Sequence, residues 1–262
     1  MHLAIRYAAV LAAGYGRVRM RHSDMTQPKR LRFETTRWSV VLAAGGSQSS
    51  AARDALEALC DAYWYPLYGY VRRHGYDADD AADAVQAFIM LLLEREDLQG
   101  LRPERGRFRA FLLASLRHFL ANQRVHNRAM KRGGGTPLHS LEFDEAEHRF
   151  RQEPAAAGTP ETLFDRTWAL ALLEQVFLRL REEWAAKGKA DEYDRLKGCL
   201  MGDVPEGGYR QVAAELGSTE AAVKMAVQRL KRRFEQELRT EIADTVTDDV
   251  VDDELRYLLR AL

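Results

Sequence analysis

The chain has 262 residues, 46% of them hydrophobic and 30% charged, with a mean hydropathy of −0.41. That is enough for one large or two small packed cores, and no apolar run reaches the length of a membrane span. Its 39 cations and 39 anions cancel to a net charge of +0, which weighs against a nucleic-acid partner unless the two signs are segregated along the chain.

The first 33 residues include "MHLAIRYAAVLAAGYGRVRM". The charge ahead of the apolar stretch is weak and Arg6 interrupts it early, so a disordered leader is expected over 1–33 rather than a secretion signal. Met20 and Met25 are alternative starts. Glycine and proline then punctuate the chain at "GGSQSS" (45–50), "GGGTP" (133–137), "EPAAAGTP" (153–160) and "GDVPEGG" (202–208). Between the breaks the apolar period is helical. Val85, Phe88, Ile89 and Leu92 share one face; so do Phe108, Phe111, Leu112, Leu116 and Phe119; so do Leu170, Leu173, Val176, Phe177 and Leu180. No sustained alternation of period two occurs. The expectation is an all-α chain: two small helical domains over 34–132 and 161–240, a flexible acidic linker over 133–160, and an acidic helical tail over 241–262. Cys60 and Cys199 lie far apart in apolar surroundings and read as buried thiols of a reducing compartment.

The neutral total is a sum of polarised blocks. Residues 77–97 carry seven anions and one cation, a net of −6; residues 102–132 carry nine cations and one anion, a net of +8; the tail 241–262 has a net of −5. A basic block on a helix face is the footprint of nucleic-acid binding, because each cation near a phosphate releases condensed counterions. The bland alternative, a solvated face, usually interleaves both signs.

Near the C-terminus stands "YRQVAAELGSTEAAVKMAVQRLKRRF" (209–234). Val212, Ala213 and Leu216 form the inner face of a short helix. Gly217 permits the positive φ of a tight corner, and Ser218 or Thr219 can cap the next helix. That second helix is expected to bury Val223, Val227, Leu230 and Phe234. Glu220, Lys224, Met225 and Gln228 are then free to face a major groove, with Arg229, Lys231, Arg232 and Arg233 near phosphates. Spacing alone allows either a helix-turn-helix or a plain helical hairpin.

"RHGYDADDAADAVQAFIMLLLER" followed by "FRAFLLASLRHFLANQRVHNRAMKR" resembles the sigma-2 domain of bacterial extracytoplasmic-function sigma factors, of the sigma-70-like family, and 209–234 resembles their sigma-4 domain. The resemblance covers roughly 36–240, and "TTRWSVVLAAG" and "YWYPLYGYVRR" look like the opening helices of a subgroup with a long linker and a C-terminal extension. It implies that Asp80, Asp83, Gln86 and Phe88 dock on the clamp helices of core RNA polymerase. It implies that Arg107, Arg109, Arg117, Asn122, Arg124, His126, Arg128 and Lys131 read and melt the minus-ten element, with "RPERGR" (102–107) taking a flipped base. Thr219, Glu220, Lys224, Met225, Gln228, Arg229, Lys231 and Arg232 would read the upstream element. Two positions depart from the pattern: Ala87 stands where an acid is common, and Phe111 where a tryptophan is frequent. The linker acids Glu142, Asp144, Glu145 and Glu147 either imitate phosphates in a polymerase channel or belong to a disordered linker with a short helix.

Enzyme signatures are weak. Glu145 and His148 have the spacing of a helical metal pair, but a second such pair and further carboxylates are missing. There is no phosphate loop and no Gly-x-Ser-x-Gly elbow. The expectation is therefore a cytoplasmic sigma factor with no catalytic residue, metal or cofactor of its own. Its partners would be core RNA polymerase and promoter DNA, held silent by an anti-sigma factor, a kinase or the tail, with no membrane partner. The alternative is a helix-turn-helix transcriptional regulator with an N-terminal helical partner-binding domain.

Overall fold

The computed structural model describes residues 54, 57, 60, 62–94, 107–129, 141–152, 158–200, 204–246 and 250–262. Among them the regular elements are helices: α1 (Trp64–Arg73), α2 (Ala78–Glu94), α3 (Phe108–Ala129), α4 (Leu141–Gln152), α5 (Pro160–Ala185), α6 (Ala190–Leu200), α7 (Gly208–Glu215), α8 (Glu220–Ala243) and α9 (Val251–Ala261). Extended pairing among the described residues is limited to an isolated antiparallel bridge between Arg107 and Val246. The expected all-α class holds. The leader 1–33, the loop 102–106 and the linker stretches 133–140 and 153–157 lie outside the described residues. The chain divides into two compact units. One holds the described residues up to 171 together with Ala243–Ala261; the other is Leu172–Ile242.

The core of the first unit is aromatic. Tyr63 stacks on Trp168 of α5 with ring centroids 3.8 Å apart, and Phe108 and Phe164 each lie 5.9 Å from the same indole. Gly75, at φ 86°, turns the chain out of α1, and the Asp77 carboxylate accepts from the Asp80 N–H at 2.8 Å to cap α2. From there α2 buries Ala81, Ala84, Val85, Phe88 and Leu92, and α3 buries Phe108, Leu112, Leu116 and Leu120. Both stripes follow the helical period, and the Phe88 and Phe119 rings meet at 5.7 Å. Each large side chain withdrawn from water in this way contributes about 1.5–3 kcal/mol.

Helix α4 is docked within this unit. Ala146 and Glu147 are buried. The Glu147 carboxylate accepts from the Tyr68 hydroxyl at 2.5 Å, from Arg72 Nε at 3.0 Å and from Arg151 Nε at 2.8 Å. Phe150 lies under the Arg72 guanidinium at 4.8 Å, and Arg149 lies over Tyr65 at 4.0 Å. Of the linker acids, Glu147 is thus a partner of α1. From sequence alone Glu147 reads as a phosphate mimic or one acid of a disordered linker, because its partners lie 75 and 79 positions away.

In the second unit, Leu173, Val176 and Leu180 of α5 are buried, as are Val223, Val227, Leu230 and Phe234 of α8 and Tyr193, Leu196 and Cys199 of α6. Phe177 meets Phe234 at 5.2 Å, and the Tyr193 hydroxyl donates to the Phe177 carbonyl at 3.0 Å. Arg179 reaches the buried Glu241 carboxylate at 2.6 Å. Cys60 and Cys199 are buried thiols, and burial pushes the Cys199 thiol upward.

The α4 lock has a pH signature. Burial opposes the charge on Glu147, but hydrogen bonds from Arg72, Tyr68 and Arg151 outweigh it and hold the carboxyl down from 4.5 to about 2. The unfolded chain takes up this proton at the higher value. The stabilisation is therefore complete above about pH 4.5 and lost as pH falls toward 2. Glu147→Gln should flatten the fall in melting temperature across that window. Glu147→Ala should cost roughly 3 kcal/mol at neutral pH, because it removes the buried carboxylate that pairs with Arg72 and accepts from the Tyr68 hydroxyl. Thermal unfolding followed by tryptophan fluorescence checks both; superimposable pH profiles for wild type and Glu147→Gln would contradict them.

Candidate nucleic-acid interface

Helices α7 and α8 are joined by the turn 216–219. Gly217 sits at φ 58°, and a Cβ built there meets nothing within 4 Å, so the backbone conformation rather than space asks for glycine. The Ser218 N–H donates to the Ala213 carbonyl at 2.8 Å and closes the end of α7. The Thr219 hydroxyl accepts from the Ala222 N–H at 3.2 Å and caps α8. Val212 and Ala213 are buried on one side of the turn and Val223 and Val227 on the other. This inner packing leaves Lys224, Met225, Gln228, Arg229 and Arg232 exposed, with Glu220 and Lys231 half-buried. Met225 is 63% exposed, which a helix face finished by packing alone does not explain.

The cations of this face differ in freedom. Lys224 pairs with Glu220 at 2.7 Å, an exposed contact that exchanges readily for another anion. Arg229 and Arg232 make no ion pair among the described residues. Arg233 is committed to the fold instead, held by Glu183 at 2.7 Å and Glu237 at 2.6 Å.

The basic helix α3 shows the same division. Arg117, His118 and Asn122 are exposed and Phe111 is half-buried. Arg124, His126 and Arg128 continue the helix; their side chains, and all of Lys131, lie outside the described residues. Arg109, assigned from sequence to the same DNA-facing set, is only 6% exposed. Its Nε pairs with Glu254 at 3.0 Å, its NH1 pairs with Asp165, and its guanidinium lies 4.6 Å from the Tyr257 ring centroid. Tyr257 in turn donates to Asp165 at 2.5 Å. Half-exposed Arg107 pairs with the second Glu254 oxygen at 3.1 Å. Burial works against the charge on Arg109, but Glu254 and Asp165 raise its pKa overall. The sequence offers the acidic, amphipathic tail as a silencer but does not single out which residues meet: Glu254 with Arg107 and Arg109, and Asp165 with Arg109.

On α2 the structure leaves Asp80, Asp83 and Gln86 exposed and buries Phe88 to 1%. Phe88 belongs to the core; the apolar surface of this helix comes from Met90 and Leu91, 59% and 38% exposed. Partial burial and the neighbouring carboxylates Asp77, Asp83 and Asp79 raise the Asp80 pKa, the mark of a crowded negative face. Among the described residues, no group of three or more His, Cys, Asp or Glu could hold a metal, and no helix is long and apolar enough to cross a membrane.

No protein-family model, curated protein or solved structure matches the chain.

If the outer face of α8 reads bases, its residues should fall into two classes. Lys224→Ala or Gln228→Ala should change preference at particular base pairs by about 1–3 kcal/mol each. Arg232→Ala should weaken binding to all sequences alike and flatten the salt slope by about one. Binding measured against a randomised duplex library separates the classes, and identical behaviour would mean that the face is misplaced.

Proposed function

We propose that this chain is a sigma factor of the extracytoplasmic-function type, acting in the cytoplasm by binding core RNA polymerase, recognising promoter DNA and promoting strand opening. The observation that carries the reading is the α7–α8 pair. Its corner has the positive-φ glycine and the threonine cap, its inner side is apolar, and its outer side presents Lys224, Met225, Gln228, Arg229 and Arg232. That combination suits insertion of α8 into a major groove with phosphate contacts along its flank.

Two features of the first unit favour a sigma factor over a regulator that only binds duplex DNA. The sequence segregates an acidic block on α2 from a basic block on α3. An exposed face of Asp80, Asp83, Gln86, Met90 and Leu91 repels DNA but suits a basic, partly apolar protein surface such as a polymerase clamp. On α3, Arg117 and Asn122 supply a cation and a hydrogen-bonding amide, and half-buried Phe111 an aromatic ring, the chemistry that holds an unpaired strand. The chain would carry no catalytic residue; the polymerase would perform the chemistry.

Arg117→Ala combined with Arg124→Ala should leave binding to core polymerase intact and upstream duplex recognition unchanged. Transcription from a duplex promoter should fall by at least about tenfold, because backbone neutralisation is lost where strands separate. A pre-melted template should recover much of it. Reconstituted transcription on duplex and bubble templates is the measurement. If the wild-type chain neither binds core polymerase nor initiates on either template, the sigma reading fails and a helix-turn-helix regulator takes its place.

A further inference from the structure

The two cations at the base of α3 are occupied by the chain's own C-terminal helix. Glu254 of α9 is 1% exposed and bridges the two: one carboxylate oxygen accepts from Arg109 Nε at 3.0 Å, and the other is shared between Arg107 Nε at 3.1 Å and a second Arg109 nitrogen at 3.5 Å. A carboxylate shared between two guanidinium groups holds the place that two phosphate oxygens would take. The segment leading into α9 is seated as well: the Phe108 N–H donates to the Thr245 carbonyl at 2.8 Å. We propose that α9 is an autoinhibitory latch, in which Glu254 stands in for a backbone phosphate and is displaced when a nucleic-acid strand reaches α3. The proposal rests on the reading of α3 as a nucleic-acid-binding helix.

The make-up of the contact suits a latch better than a permanent brace. A permanent joint gains little from buried ion pairs, since well-packed apolar groups of similar volume stabilise as well or better. Ion pairs have the one advantage that another anion can replace them in kind. The docked surface is also small: Glu254 and Leu258 are the buried residues of α9, while Tyr257 remains 41% exposed. A helix of 11 residues is not stable alone in water, so undocking and unravelling of the tail form one step. Release would not strand Arg109, because Asp165 stays paired with it. It would free Arg107 and clear the Tyr257 ring from the face of the Arg109 guanidinium, opening that face to a base.

The test is equilibrium binding of a fluorescent single strand of about 20 nucleotides at low salt. The chain ending at residue 249 should bind about tenfold tighter than the full chain, since the open state no longer competes with the closed one. Glu254→Gln in the full chain should give a smaller gain, and Asp253→Asn, with the same change of charge at an exposed position, should give almost none. Equal affinity of the full and shortened chains, both folded by circular dichroism, overturns the latch. So does an equal gain from Asp253→Asn and Glu254→Gln, which would be a general effect of net charge. If the shortened chain does not fold, Glu254→Gln against Asp253→Asn decides alone. If no form binds the strand, the nucleic-acid reading of α3 falls as well, whereas tight but equal binding by all forms removes only the latch.

Discussion

A guanidinium taken out of water must be neutralised, and much of the first unit is arranged around one. Arg109 opens α3, Asp165 lies on α5 and Glu254 on α9. The charge therefore ties together segments 56 and 145 positions apart in sequence. Removing one partner while the surrounding helices stay in place costs about 3–5 kcal/mol, since the remaining charge stays buried; undocking of α9 differs, because it returns Arg109 to water as Glu254 leaves. Tyr257 adds a ring over Arg109 and a hydroxyl on Asp165, so the tail touches both members of the pair it covers. The start of the basic helix and the end of the chain are consequently one structural problem.

That constraint changes how the charge blocks are counted. Nine cations over 102–132 suggest a continuous basic stripe, yet Arg109 is neutralised within the fold and Arg107 shares its partner. Among the arginine side chains described on α3, Arg117 is exposed to solvent. In the second unit, Arg179 and Arg233 hold helices together through Glu241, Glu183 and Glu237, whereas Arg229 and Arg232 face outward. Each unit spends some arginines on its own architecture and presents others, and only the presented ones bear on a partner.

Local features were legible in the sequence because they depend on neighbours a few residues away. The helical stripes of α2, α3 and α8, the glycine corner at Gly217 and the cap at Thr219 all follow from spacings of three or four residues and from the conformational freedom of single residue types. Burial of particular charges was not legible. Arg109 and Arg117 fall on the same side of one helix, and only the return of segments 56 and 145 positions later separates their fates. Glu147 reads as one more linker acid until Tyr68 and Arg72 stand beside it. Glu254 is hidden for a further reason: a fully buried glutamate is rare, so an amphipathic tail is expected to bury its leucines and expose its acids. Phe88 shows the converse, a residue picked for a partner surface that the chain's own core has already claimed.

These observations converge on a basic helix that is shut at its base in the free protein. The most direct measurement is hydrogen exchange at the backbone amides of 251–261, followed with and without a saturating single-stranded DNA. Exchange should be slow in the free chain. It should rise markedly in the complex, as α9 leaves Arg107 and Arg109, while amides elsewhere in the first unit stay protected. Exchange over 251–261 that is unchanged or slower in the complex would contradict it, and would make the tail a fixed part of the fold.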